Sequence, residues 1–245
     1  LEILSEPLSL LVLLSALVIA VLAPAFHYHQ FGEATRMARD AGSSALLVCG
    51  GVIAAFGTIR AFRREIESGT LEMALAHPVS RTEFFLAKTA GALAAYLAFA
   101  AIVTAVSLTI VEGAAVGGRL ATASGDIARL WGPCLAAGLG VMVVPLVLGA
   151  ALNRFANCRF VLTAFALAAL GALGGAVWTA LRDGALVVRL LPVSALLVLL
   201  SLVVLTAAAA FSVRFAASAA ASSVGAVAVL LLPAVGNYCL SDALS

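Results

Sequence analysis

Three observations on the sequence predict an all-α, polytopic integral membrane protein with six to seven transmembrane helices. Of its 245 residues, 64% are hydrophobic and only 11% are charged, where about a quarter is usual in a soluble domain. The mean hydropathy of +1.16 is the reverse of the low hydrophobicity and high charge that keep chains disordered. The charges are also grouped, leaving seven uncharged stretches at 7–32, 41–59, 89–111, 130–153, 160–181, 190–213 and 215–241. Each is close to the run of about 20 apolar residues that crosses a bilayer as a helix. None alternates in the manner of a barrel strand, and backbone groups cannot go unpaired in lipid, so each stretch is predicted helical. The chain, 1–245, reads as a single transmembrane domain with one bent cytoplasmic segment.

The first stretch, from Leu8 to Ala23, has the length of a secretory leader. However, Glu2 and Glu6 stand where such a leader carries Lys or Arg, so it reads as a retained membrane helix. The sequence opens on Leu1 rather than Met and closes at Ser245, and neither end is taken as complete. His27-Tyr28-His29 at the end of this stretch could hold a metal, but such rings also suit the membrane interface, and no metal site is assigned. Glu33, Arg36, Arg39 and Asp40 follow, and the i,i+4 pairing of Arg36 with Asp40 predicts a short amphipathic helix on the outer face.

The second stretch runs into residues 60–88, which hold four of the twelve acids and five of the fourteen bases. Ile59, Phe62 and Ile66 at helical spacing extend the second helix out of the membrane, and Arg63 can pair with Glu67. Ser68 and Gly69 break it. Thr70 then suits an N-cap with Glu72 in the first turn, where the helix dipole favours an anion. Leu71 and Leu75 share one face of this short helix, and Pro78 ends it by pushing His77 out of the α region. A third helix begins at Ser80-Arg81-Thr82-Glu83, a capping box, with Val79 and Phe84 placed as a hydrophobic staple. The spacing describes an elbow: a helix leaving the bilayer, a short lateral helix, and a firmly capped helix that returns.

The later stretches carry less. Ala, Gly and Ser scattered through 90–118, 135–151 and 161–177 favour close helix contact in lipid. Pro24, Pro145 and Pro233 interrupt or end apolar runs and predict kinks. Asn153, Arg154, Asn157, Cys158 and Arg159 form a polar hinge that offers a second contact for a cytoplasmic partner, and Asn237 with Tyr238 marks an interface or a helix contact. The cysteines, Cys49, Cys134, Cys158 and Cys239, have no CxxC spacing and read as small apolar fillers.

Orientation follows from Lys and Arg, which are retained on the cytoplasmic side. Seven crossings put Arg60, Arg63, Arg64, Arg81, Lys88, Arg154, Arg159 and Arg214 on one side and Arg36, Arg39, Arg119, Arg129, Arg182 and Arg189 on the other. The cluster from Arg60 to Lys88 assigns its own side to the cytoplasm.

Several functions are excluded or disfavoured. A net charge of +2 from 14 bases and 12 acids does not suggest nucleic-acid binding. The sole lysine, Lys88, is preceded by Ala87 and lacks the glycines of a phosphate-cradling loop, so this chain offers no such ATP site. No HExxH, GxSxG or paired aspartates lie in the apolar stretches, which disfavours an enzyme. No ionisable residue stands in the middle of a span, where ion-coupled carriers place theirs.

Glu65, Gly69, Thr70, Leu71, Leu75, Pro78, Arg81 and Lys88 together resemble the signature of ABC-2 type transporter permeases. The resemblance implies a permease domain over 1–245 whose cytoplasmic coupling segment, 60–82, contains the coupling helix. That role falls on Glu65, Glu67, Gly69, Thr70, Leu71, Glu72, Leu75, Pro78 and Arg81. It also implies an ATP-binding subunit that carries ATP and Mg, a second permease subunit of the same or a homologous kind, and a bacterial inner membrane. No cofactor is expected on this chain itself. Members commonly have six crossings, one fewer than the apolar stretches counted here, and either 160–181 or the pair flanking Arg214 is where the count is least secure. The cargo is not legible, and the absence of a polar pocket within the spans favours an amphipathic or lipid-linked molecule. A non-transporting membrane anchor would use the same elbow, and an ion-coupled carrier would work without a partner.

Overall fold

The computed structural model describes residues 6–22, 34–67, 81–124, 128–156, 159–182 and 184–214, and these residues are helical almost throughout. In chain order they form α1 (Pro7–Leu22), α2 (Ala34–Val52), α3 (Thr58–Glu67), α4 (Arg81–Ser124), α5 (Ala128–Ala156), α6 (Phe160–Arg182) and α7 (Gly184–Arg214). A π-helical turn, Ile53–Gly57, joins α2 to α3 without a break, since the flanking Val52 and Thr58 both keep right-handed helical dihedrals. Five of these helices are long and apolar enough to cross a membrane: Thr35–Arg64, Thr82–Val116, Gly138–Phe155, Phe160–Arg182 and Leu190–Ala210. The shorter α1 is equally apolar, and its 16 residues span about 24 Å at 1.5 Å per residue. The protein is therefore an all-α, polytopic membrane protein. The stretch 160–181 forms one uninterrupted helix of 23 residues, whereas 215–241 lies outside the described residues, as do Pro24, Pro233, Asn237, Tyr238, His27 and His29.

Three boundaries differ from the sequence reading. Residues 34–40 do not form a separate helix on the outer face; they are the first turns of α2. Nothing in Ala41-Gly42-Ser43-Ser44 forces a break, and the Ser44 hydroxyl donates back to the Asp40 carbonyl at 2.7 Å. Helix α4 continues to Ser124 rather than stopping near 111, because one half-buried Glu112 and several small residues cost a helix little. At 44 residues it is about 66 Å long, roughly twice the hydrocarbon thickness, so it projects well beyond the bilayer. Helix α7 begins at Gly184 and runs through Pro192, as α5 runs through Pro145. Each ring removes one backbone donor without ending its helix.

Contacts group the described residues into two units. In one, drawn from 4–50 and 97–198, α5 and α6 make the most extensive helix pair, and α1 lies against α5. Small residues set these approaches, as expected where lipid supplies no hydrophobic drive and close packing must hold helices together. A Cβ on Gly138 would collide with Val21, and one on Gly42 with the Ser107 side chain. One on Gly149 would stand 3.2 Å from Ala164 Cβ, and one on Gly175 only 2.5 Å from Thr109 Cγ2. Cys49 is a buried free thiol 3.8 Å from Ser15 Oγ, the filler role its spacing suggested. On α6, Leu170, Leu173, Val177 and Leu181 are exposed and offer an apolar face to lipid, and Arg182 covers the Trp178 ring at 4.8 Å, an anchor suited to the membrane interface.

The other unit, whose described residues are 51–67, 81–96 and 199–214, contains the roots of the elbow and the end of α7. Ala55 and Ile59 pack against Val204 and Ala208 in one buried cluster. Two alanines in this set let the π turn and α7 approach closely.

Candidate functional site

The described residues that flank the expected elbow are the end of α3 and the start of α4. Helix α3 is strongly two-sided: Ile59, Ala61 and Phe62 are buried, while Arg60, Arg63 and Arg64 are exposed. The apolar side locks the helix to α7 through Ile59, and the basic side carries three exposed arginines. Across the elbow, the Phe62 ring meets the Phe85 ring with centroids 5.5 Å apart and planes tilted by 35°. That geometry lies within the range in which aromatic pairs attract beyond simple burial, by about 0.5–1.5 kcal/mol. The end of α3 and the start of α4 are thus tied together by this contact.

Helix α4 starts at Arg81 with Glu83 in its first turn. This is the boundary that the Ser80 capping box predicts, and Glu83 is placed where the dipole favours an anion. Farther along α4, Tyr96 is fully buried. Its hydroxyl lies beside the Ser201 side chain of α7 but lacks the geometry of a full hydrogen bond. Ile59 from α3 and Tyr96 from α4 therefore converge on the same end of α7.

Of the residues assigned to coupling, Glu65 and Glu67 fall in the last turn of α3 and Arg81 is the first residue of α4. Gly69, Thr70, Leu71, Glu72, Leu75 and Pro78 lie outside the described residues, as do Ser80 and Val79. At the polar hinge between α5 and α6, Asn153, Arg154, Phe155 and Arg159 are all exposed. Among the described residues there is no group of three His, Cys, Asp or Glu placed to hold a metal.

Two features were missed by sequence reasoning. The aromatic tie joins residues 23 apart, and no local pattern pairs them. The π turn inserts its extra residue just before α3, leaving Phe56 exposed while Ile53, Ala54, Ala55 and Gly57 are buried. Such turns recur at functional places in helices, but only the helical hydrogen-bond pattern reveals them.

The described residues thus define a polytopic helical membrane protein in which α3 and α4 are tied by an aromatic contact. The family model described as ABC-2 family transporter protein matches residues 5–175, and the chain belongs to that family. It is accordingly an integral membrane protein and a permease subunit of an ABC transporter. No curated protein and no solved structure matches the chain.

Proposed function

We propose that this chain couples ATP hydrolysis on a partner subunit to movement of an amphipathic or lipid-linked cargo, with residues 65–81 as the element the partner grips. The observation that carries the reading is the brace beneath that element: the Phe62–Phe85 tie and the packing of Ile59 on Val204 and Ala208. A loop held in this way passes a displacement to three helices at once, whereas a loose one would absorb it. Glu65, Glu67, Glu72 and Arg81 supply charges for recognition, and Gly69, Thr70, Leu71, Leu75 and Pro78 shape the short lateral helix. The partner binds ATP and Mg; this chain binds neither. Two permease copies, identical or homologous, complete the transporter in a bacterial inner membrane. The orientation follows from Arg60 to Lys88 facing the cytoplasm.

The test is ATPase activity of the reconstituted complex. Glu67→Ala and Gly69→Pro are expected to lower permease-dependent ATP turnover several-fold while the ATP-binding subunit alone keeps its own rate. Unchanged turnover in both variants would remove the reading. Crosslinking between the ends of the helices remote from the elbow, with and without nucleotide, separates a transporter from a static anchor: only a transporter changes its pattern.

A further inference from the structure

A cleft separate from the elbow opens where the start of α2 meets the second half of α4 and the first half of α7. Its polar lining is Arg39, Ser43, Thr104, Ser107 and Ser194, with Gly42 at the point of closest approach and leucine side chains making up the rest. It is an open cleft, and its roughly 310 Å³ of free space includes the solvent at its mouth. Among the described residues, no carboxylate lines it. The residue next to Arg39, Asp40, is exposed. The Ser107 hydroxyl donates to the Val103 carbonyl at 2.8 Å and that of Ser194 to the Leu191 carbonyl at 2.9 Å. The donors that face a ligand are therefore the hydroxyls of Ser43 and Thr104 and the guanidinium of Arg39. The Nε of that guanidinium is buried and has no hydrogen-bond partner among the described residues.

A guanidinium is always charged and presents its donors as a planar fork. Burying one of them without an acceptor is costly, and two oxygens of one anion satisfy the fork better than any neutral group. The leucine walls and the position of the cleft at one end of apolar spans require the rest of the ligand to be apolar. We propose that this cleft binds a phosphate group, with Arg39 across two of its oxygens and Ser43 and Thr104 donating to them, and the attached acyl chains leaving through the mouth. None of the residues lining the cleft is among those assigned to coupling. The site is therefore distinct from the coupling segment, and its occupancy does not depend on the coupling role.

The experiment uses the full chain in detergent micelles, without any ATPase, so its failure leaves the coupling role untouched. Bound lipid is counted by native mass spectrometry as phosphatidylglycerol is titrated, with diacylglycerol of the same chains as the phosphate-free control. Saturable binding of phosphatidylglycerol but not diacylglycerol is expected. Arg39→Gln should weaken it about tenfold or more, Arg39→Lys should restore part of the loss, and Arg36→Gln, an exposed arginine outside the cleft, should leave it unchanged. Inorganic phosphate at millimolar concentration that displaces the lipid would identify the free ion as a ligand of the same site; no displacement identifies the lipid headgroup. Equal binding of diacylglycerol, or equal losses in Arg39→Gln and Arg36→Gln, would overturn the proposal. Should Arg39→Gln fail to fold, Thr104→Val keeps the charge and shape of the site. A two- to tenfold loss in that variant supports the assignment, and no loss overturns it.

Discussion

The tie between Phe62 and Phe85 can be measured directly, because it joins two helices at one contact. Phe62 is only 5% exposed, so Phe62→Ala empties nearly a whole phenyl volume and should cost about 3–5 kcal/mol. Phe85 is half-buried, and Phe85→Ala should cost less. If the rings attract each other at their 5.5 Å, 35° geometry, the double variant should lose less than the sum of the single ones. The expected coupling is about 0.5–1.5 kcal/mol, a factor of roughly 2 to 13 in the unfolding equilibrium at 25 °C. The assay is equilibrium denaturation of the purified chain in mixed micelles, run as a double-mutant cycle. In the assembled transporter the same single variants should uncouple ATP turnover from transport while the partner's own ATPase rate persists. A coupling energy within about 0.3 kcal/mol of zero, the ordinary error of additivity, would show that the rings merely adjoin, and the braced elbow would lose its support.

Other expectations follow from the packing. Gly175→Leu should destabilise by about 1–3 kcal/mol, since even a Cβ there meets Thr109 Cγ2 at 2.5 Å, and Gly138→Leu should act likewise against Val21. Gly91→Ala meets open space and should be neutral or stabilising by up to about 1 kcal/mol, through the lower entropy of its unfolded chain; a lower melting temperature for Gly91→Ala would contradict this. Because the buried Tyr96 hydroxyl lacks a hydrogen-bond partner among the described residues, Tyr96→Phe should leave the melting temperature unchanged or raise it. A clear fall would mean that the hydroxyl is bonded, with Ser201 as its partner.

How much of this was legible depended on the range of the interactions. Helix positions follow from local chemistry: uncharged runs must be helical in lipid, and the start of α4 at Arg81 follows from a capping box four residues long. The amphipathic pattern of α3 was equally local, and it placed Phe62 on the buried side. Boundaries that lack a breaker were misjudged. Arg36, Arg39 and Asp40 look like a surface helix by charge alone, yet no glycine or proline with a need to turn separates them from the span, so α2 simply continues. Glu112 suggested an end to α4 for the same reason. Contacts between distant residues were not legible. Arg39 lies two residues before an apolar stretch, and the hydroxyls of Thr104, Ser107 and Ser194 lie within two others. The sequence therefore shows no polar pocket, and one forms only when the three helices meet. The small residues that permit such meetings were visible in composition, but their partners were not: Gly42 with Ser107, Gly138 with Val21, Gly175 with Thr109.

The grip of a partner ATPase on the elbow is the claim on which the transport account depends, and site-specific photocrosslinking tests it most directly. A photoreactive residue at Leu71 or Leu75, in the transporter assembled with its ATP-binding subunit, should give an adduct with that subunit, and the yield should change when ATP is hydrolysed. The same group at Leu170, on the exposed apolar face of α6, should give none. Adducts absent at both elbow positions, in a complex shown to be intact and active, would contradict the account.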